Sequence, residues 1–161
     1  MDRQSELSIV RAAYAKQVLA AARVASDARL EAALGAIRRE DFLGPGPWPI
    51  MRWWGDTRRA ASGERLRDYV TTPDADPVYL YTDDLVGLIP ERQINNGQPS
   101  LHARLMHQAA PAAGEHVVHV GTGTGYYTAI LAHLAGSSGH VTGIAARWRG
   151  RRHLSHDIWD L

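Results

Sequence analysis

The sequence predicts an α/β fold with parallel strands, and three consecutive features near residue 120 support this prediction. An apolar, β-prone run at 117–120 leads into the turn Gly-Thr-Gly-Thr-Gly at 121–125, and a helix-like run continues to about 135. A second β-prone segment at 140–144 completes a βαβ unit, which has parallel strands and a right-handed crossover. Glycines allow a sharp turn, and free N–H groups at a helix start favour a polar or anionic group, so the turn predicts a cofactor site.

The spacing of the glycines narrows the class of cofactor. Dinucleotide-binding turns have the pattern Gly-x-Gly-x-x-Gly/Ala, whereas this chain has Gly-x-Gly-x-Gly and places the large ring of Tyr126 at the third glycine slot. The turn resembles motif I of the seven-stranded S-adenosylmethionine (SAM) methyltransferases. A dinucleotide-binding oxidoreductase and a glycine-rich turn of any other α/β protein are the alternatives.

Four segments in order extend this resemblance to one family, the protein-L-isoaspartate O-methyltransferases. They are residues 38–45 (RREDFLGP), 94–100 (INNGQPS), 118–126 (VHVGTGTGY) and 139–144 (GHVTGI). The resemblance covers roughly residues 26–144, with a less similar stretch at about 47–78. It implies the N-terminal part of a Rossmann-like SAM methyltransferase fold, with N-terminal helices before an incomplete parallel sheet.

The resemblance also implies an organisation of the chain and a set of site residues. Residues 1–110 would form an N-terminal helical or cap region, 111–144 the start of the SAM-binding core, and 145–161 an unrelated basic tail. The cofactor SAM would be bound by His119, Gly121, Thr122, Gly123, Thr124 and Gly125. The methyl acceptor would be positioned by Asn96, Gln98 and Ser100. No residue is identified as a general base.

Several positions depart from the family pattern. His119 occupies a slot that is usually acidic, and Ala145 stands where an acidic residue would bind the ribose hydroxyls through two hydrogen bonds. A packed core histidine is an equal interpretation of His119. Asn95 and Gly97 replace the Thr and Ser of the family's acceptor loop, so neither hydroxyl is present. These replacements weigh against repair of isoaspartyl residues.

The resemblance stops after Ile144, where an arginine- and tryptophan-rich sequence begins. This change predicts a truncated or frameshifted gene, and a short variant with a basic tail is the alternative. Without its later neighbour, the first core strand would present an unpaired apolar edge.

We therefore expect a SAM-dependent methyltransferase that acts on an oxygen or nitrogen, with a protein or peptide carboxyl among the candidate acceptors. An inactive remnant or a SAM-binding module without catalysis is the alternative.

Composition limits the other functional classes. The net charge of +1 over 161 residues gives no support for a nucleic-acid partner, and there is no cysteine for disulfides or thiolate chemistry. Neither a signal peptide nor an apolar run of about 18 residues is visible, so we expect a cytoplasmic protein without a membrane span. The eight histidines lack the spacing of a metal site, and none is predicted.

Local patterns predict the remaining elements. Three more helices are expected. The first spans about 6–24, the second follows a cap at Ser26 or Asp27, and the third spans 100–109 with Ser100 as its cap. A short strand is expected at 78–81, and residues 55–77 should be rich in loops. Two further expectations concern side chains: Asp83 and Asp84 form a solvated turn or a helix cap, and Trp48, Trp53 and Trp54 cover a core edge.

Overall fold

The computed structural model of the protein describes residues 2–51 and 69–145. Trp53, Trp54 and the tail that follows Ala145 lie outside the described residues, and so do the predictions made for them. The helices are α1 (Arg3–Ala21), α2 (Ala28–Ala36), α3 (Pro99–Ala109) and α4 (Tyr126–Ala135). The strands are β1 (Pro49–Met51), β2 (Tyr69–Thr71), β3 (Leu85–Ile89), β4 (Ile94–Asn95), β5 (His116–Val120) and β6 (His140–Ile144).

The predicted βαβ unit is present. Strands β5 and β6 pair in parallel, with His116 opposite His140 and Val120 opposite Ile144, and α4 forms the crossover between them. Helix α4 has an apolar face because Ile130 and Leu134 are one turn apart, and this face packs with the fully buried Val141 of β6. The unit places the glycine turn at the carboxyl end of β5.

The N-terminal helices pack on the same core as α4. Tyr14 and Val18 of α1 and Leu30 of α2 are almost fully buried in one apolar cluster with Ile130. Of the two candidate caps for α2, the structure selects Asp27, whose side chain accepts a hydrogen bond from the backbone N–H of Leu30 at 3.0 Å. The predicted helix at 6–24 is α1, which begins and ends three residues earlier than expected.

The N-terminal region also contains a four-stranded antiparallel sheet that the sequence patterns did not predict. Its strand order is β2-β1-β3-β4, and β2 falls within the stretch expected to be loop-rich. A second apolar cluster formed by Trp48, Ile50, Leu80 and Val86 packs beside it. The expectation that Trp48 covers a core edge is confirmed, since only 4% of this residue is exposed.

Two local predictions were wrong. Residues 78–81 do not form a strand: Pro77–Leu80 is a 3-10 helix, because the Asp76 side chain accepts from the N–H of Val78 and proline is tolerated in a first helical turn. Ser100 does not cap α3, since the N-cap residue is Gln98. The cap comes from Asp83, whose Oδ1 accepts from the backbone N–H of Ser100 at 2.7 Å.

The outward face of the parallel pair is uncovered by the described residues. Val118, Val120 and Ile144 are 55%, 74% and 51% exposed, respectively. Within residues 2–51 and 69–145, β5 pairs with β6 alone, as the predicted unpaired edge requires. No helix in these ranges is both long and apolar enough to cross a membrane.

Candidate functional site

The glycine turn combines three backbone conformations that favour glycine. Gly121, Gly123 and Gly125 have φ angles of +85°, +58° and +95°, in the left-handed region. The turn is fixed to the end of β6, because the carbonyl of Ile144 accepts from the N–H of Gly121 at 2.7 Å. The sequence therefore needs glycine at these positions to pass from β5 into α4.

The space in front of the turn is open. A Cβ added to Gly121 or Gly123 would meet no atom within 4 Å, so there is open space on the Cβ side of both glycines. Between these glycines, the hydroxyl of Thr122 is buried and has no hydrogen-bond partner among the residues that the structure describes. A buried polar atom without a partner is costly, and a bound polar ligand would remove that cost. The turn thus fits a cofactor with polar groups.

His119 is held against the helix. Its Nδ1 lies 2.9 Å from Oγ1 of Thr128 on α4, and the ring is half-buried. Burial, together with electrostatic interaction with His102, lowers the pKa of His119, so the ring is neutral near pH 7. An imidazole, neutral or protonated, does not supply the negative charge that this slot usually carries in the family. Ala145 at the end of β6 is exposed and brings no carboxylate either.

The acceptor loop at 95–98 is held by its own side chains. The Oδ1 atom of Asn96 accepts from the N–H of Val86 at 2.8 Å, and Nε2 of Gln98 donates to Oδ2 of Asp83 at 3.1 Å. Ser100, the third predicted acceptor residue, is buried and donates its N–H to the same carboxylate. Of the two roles predicted for Asp83, a solvated turn or a helix cap, the structure selects the helix cap.

The acceptor loop is joined to the first turn of α4. The hydroxyl of Tyr127 donates to the carbonyl of Gly97 at 3.1 Å. The ring of His102 stacks on Tyr127 with a centroid distance of 3.7 Å and an interplanar angle of 2°. The structure thus brings together two predicted groups of site residues, namely the glycine turn and the acceptor loop.

Neither His102 nor Tyr127 was predicted to take part in the site. The sequence contained a signal for His102, which lies four residues after Gln98 and therefore on the same helix face. Nothing in the sequence indicated that the rings of His102 and Tyr127 would stack, because they belong to different helices.

Arg39 lies against Tyr126, the residue that directly follows the glycine turn. This residue is completely buried, and its guanidinium donates to the carbonyls of Leu80 and Thr82. The guanidinium carbon also lies 5.6 Å from the ring centroids of both Tyr14 and Tyr126. Because Tyr126 is the first residue of α4, Arg39 connects the RREDFLGP segment to the glycine turn.

Phe42, in the same segment, also reaches the turn. Its ring packs edge-on against Tyr126 at 5.8 Å and would lie 3.7 Å from a Cβ at Gly125.

Within the described ranges, no three His, Asp or Glu side chains are grouped to hold a metal ion.

Comparisons with known proteins agree with this arrangement. A solved structure titled protein-L-isoaspartate O-methyltransferase matches with a TM-score of 0.55 and 21% identity, over 83% of this chain and 34% of that chain. This likeness shows the fold, and this chain corresponds to about one third of that protein's length. A comparison with curated proteins finds no match. The family model described as Protein-L-isoaspartate(D-aspartate) O-methyltransferase (PCMT) matches residues 67–149, slightly more than half of the chain, and the chain therefore belongs to this family.

Proposed function

We propose that the protein binds SAM at the glycine turn and acts as a SAM-dependent methyltransferase. The observation that carries this proposal is the open turn at 121–125, with three left-handed glycines and the unpartnered Thr122 hydroxyl, in a member of a methyltransferase family. Family membership favours SAM over a dinucleotide, and Tyr126 supports this choice because its ring is buried where dinucleotide turns need a small residue.

Each residue of the turn has a proposed role toward the cofactor. Gly121, Gly123 and Gly125 leave the main chain bare, so that the cofactor can approach the backbone N–H groups. The hydroxyls of Thr122 and Thr124 bind its polar groups. His119 contributes packing and a neutral hydrogen-bonding group at the edge of the turn. When bound, SAM supplies an electrophilic methyl group on its sulfonium.

The acceptor loop has the proposed role of positioning. Methyl transfer depends mainly on in-line placement of the acceptor atom, and correct placement accounts for much of the rate enhancement of such reactions. Asn96, Gln98 and Ser100 shape the loop through their bonds to β3 and Asp83, and Tyr127 fixes the loop beside the turn. The acceptor is an oxygen or nitrogen atom, and a protein or peptide carboxyl is one candidate.

Binding and transfer are separable for this chain. It corresponds to about one third of the matched methyltransferase, and it lacks a carboxylate at Ala145. SAM binding without catalysis is therefore the second candidate function. As the cellular location we propose the cytoplasm, which a cysteine-free composition suits.

Isothermal titration of the purified protein with SAM tests the proposal. We expect a saturable heat with one site, and S-adenosylhomocysteine should compete for it. An absence of heat up to millimolar SAM would exclude cofactor binding by this chain. Titration with NADH, followed by its fluorescence, tests the dinucleotide alternative, and we expect no change.

A pair of glycine substitutions assigns the binding to the turn. Gly121→Val places a side chain in the open space in front of the turn and should abolish the heat of SAM binding. Gly136→Val is the matched control, because Gly136 has a similar φ of +70° and equally open surroundings at the far end of α4. Equal loss of binding in both variants would mean that backbone strain, and not the turn, explains the effect.

A further inference from the structure

The ring of His102 occupies the space that a side chain at position 97 would need. A Cβ built on Gly97 would lie 2.2 Å from Cε1 of His102, and 3.1 Å from each ring nitrogen. Real Cβ atoms do not approach other atoms this closely, so a residue larger than glycine at 97 excludes this ring position. In the family's acceptor loop, position 97 is one of the two hydroxyl slots. Here an imidazole stands in that place.

The surroundings of His102 define which nitrogen carries the proton. Nδ1 lies 2.9 Å from the carbonyl oxygen of Gln98. Because a carbonyl can only accept, Nδ1 must be the N–H donor, and Nε2 of the neutral ring is left with a bare lone pair. Stacking on Tyr127 keeps the ring in this orientation. Burial lowers the pKa of His102, so the neutral form is the one present near pH 7.

The other polar side chains of the loop are already bonded or buried. Asn95 bonds to the N–H of Gly97 and to the hydroxyl of Tyr69. Gln98 donates to Asp83, and Nδ2 of Asn96 is buried. Nε2 of His102 has no hydrogen-bond partner among the residues that the structure describes, which leaves it available to a methyl acceptor.

We propose that Nε2 of His102 receives the hydrogen bond of the methyl acceptor in place of the family's hydroxyl at position 97, and that the acceptor is a neutral hydroxyl group. This inference rests on the proposed methyltransferase function and names its substrate class. An ionised carboxylate has no proton to donate, so it would face the Nε2 lone pair with its own lone pairs. A hydroxyl donates to Nε2 and still presents a nucleophilic lone pair on its oxygen.

The proton balance follows from this arrangement. As the acceptor oxygen uses a lone pair to form its new bond to the methyl carbon, the bond from that carbon to the sulfonium sulfur of bound SAM would break, and its electron pair would leave with the sulfur as neutral S-adenosylhomocysteine. The O–H bond of the acceptor breaks in the same transfer, and its proton passes to Nε2. His102 becomes an imidazolium and then releases the proton to water. The O–H electron pair remains on the oxygen, which ends as a neutral ether. An isoaspartyl carboxylate would need no such base, because it is already ionised near pH 7.

The first test uses the protein without cofactor, so it does not depend on SAM binding. Long-range proton–nitrogen NMR of the histidine rings should show His102 with a protonated Nδ1 and a bare Nε2. Adding N-acetyltyrosine amide, a probe with a neutral hydroxyl, should shift the Nε2 resonance. A matched tetrapeptide with an isoaspartyl residue should not. A protonated Nε2 in the free protein, or a shift with the isoaspartyl peptide alone, would overturn the inference.

The second test measures transfer with substituted proteins and radiolabelled SAM. His102→Phe keeps a ring on Tyr127 but removes both nitrogens, and should lower methylation of the hydroxyl probe by about 100-fold. SAM affinity by titration should stay within about twofold of the parent protein. His133→Phe, at an exposed position on α4, is the matched control and should retain the parent rate.

The outcomes separate this inference from the proposed function. If SAM binds and the isoaspartyl peptide is methylated while the hydroxyl probe is not, the methyltransferase proposal stands and the role of His102 is refuted. If SAM does not bind, the proposed function fails, and the NMR experiment still decides how Nε2 and the hydroxyl interact. A His102→Phe protein with the parent rate on the hydroxyl probe would also refute the inference.

Discussion

At the scale of single residues, Arg39 shows how a buried charge can organise a site. It makes no ion pair with any described carboxylate, but donates to two backbone carbonyls and lies against two tyrosine rings. Its Nε and Nη2 atoms are buried and have no hydrogen-bond partner in the described ranges of the chain. Burial of a charged group without an ion pair costs free energy. We therefore infer that the role of Arg39 is to hold the 3-10 helix Pro77–Leu80 and the start of α4 in fixed positions.

Substitution of Arg39 should therefore be strongly destabilising. We expect Arg39→Ala to lower the free energy of unfolding by about 3 kcal/mol, because the carbonyls of Leu80 and Thr82 lose their donor in a buried and a partly buried setting, respectively, and the packing of the side chain is lost. Arg39→Lys should also be destabilising, since lysine lacks the planar fork. Urea unfolding measures both. The neighbouring Arg38→Ala is the control: the Arg38 side chain is exposed and forms ion pairs with the exposed Asp41 and the largely buried Glu40, and its loss should cost less than about 1 kcal/mol.

The shared space of Gly97 and His102 gives a second residue-level prediction. Gly97→Ala should lower the unfolding free energy by about 2 kcal/mol or more, from its φ of +79° and from the clash with the ring. In a His102→Ala background, only the backbone cost of about 1 kcal/mol should remain. A double-mutant cycle by thermal melting measures the difference.

The control for this cycle is Gly136→Ala, which has a similar φ but meets no atom within 4 Å. Its cost should be the same in both backgrounds. Additive costs for Gly97→Ala and His102→Ala would show that the two positions do not compete for space.

The two half-buried histidines predict how stability depends on pH. Burial lowers the pKa of His102 and of His119 in the folded protein. The unfolded chain therefore binds more protons below about pH 6.5, so stability should be complete above that pH and decline as the pH falls toward the folded-state values. Thermal melts between pH 8 and 5 measure this. The decline should be smaller in His102→Phe, and an unchanged decline would assign the effect to other groups.

At the scale of elements, α3 depends on a cap that comes from elsewhere in the chain. Asp83 lies two residues before the start of β3, and its carboxylate binds both the N–H of Ser100 and the side chain of Gln98. One carboxylate therefore completes the start of α3 and holds the acceptor loop. A negative charge at this end of a helix also suits the helix dipole.

Removal of this cap should affect both the helix and the loop. We expect Asp83→Ala to lower the unfolding free energy by about 1 kcal/mol, and amide hydrogen exchange in the acceptor loop and the first turn of α3 to become faster. Asp84→Ala is the control, because Asp84 makes no hydrogen bond to the described part of the chain. If both variants exchange alike, Asp83 is not the cap that holds the loop.

The elements also show which predictions from sequence succeeded. The parallel pair β5–β6 and helix α4 lie where their patterns placed them, because an apolar strand, a glycine turn and a helical period are local signals. The antiparallel sheet could not be predicted in this way. Its strands have two to five residues each, too few for a period, and their pairing depends on distant partners such as Ile50 and Val86.

At the scale of the whole molecule, the outer face of the parallel pair is the most unusual surface. Parallel sheets are normally covered on both faces, but α4 covers one face only, and Val118 and Val120 are more than half exposed on the other. Exposed apolar residues beside an unpaired strand edge favour association between molecules.

Polar substitutions on this face should reduce association without harming the fold. Val118→Thr and Val120→Thr together should lower concentration-dependent light scattering, while the unfolding free energy should change by less than about 1 kcal/mol because threonine keeps the β-branched shape. Ile9→Thr on α1 is the control, since Ile9 is also exposed, at 59%, but lies away from a strand edge. An equal effect of Ile9→Thr would show that general surface hydrophobicity, and not this face, causes association.

The sequence by itself determined the βαβ unit, the glycine turn and the family. Each of these is recognised from short contiguous segments, and the conformation of such segments is set by local backbone preferences. Positive φ angles require glycine, and the spacing at 121–125 is visible without a structure. Only the tertiary structure decided that Asp83 caps α3, that Arg39 lies beneath Tyr126, and that His102 fills the space beside Gly97. Two of these contacts join segments far apart in the chain, and the third depends on a loop held against α4. Each arises from packing, which no local pattern specifies.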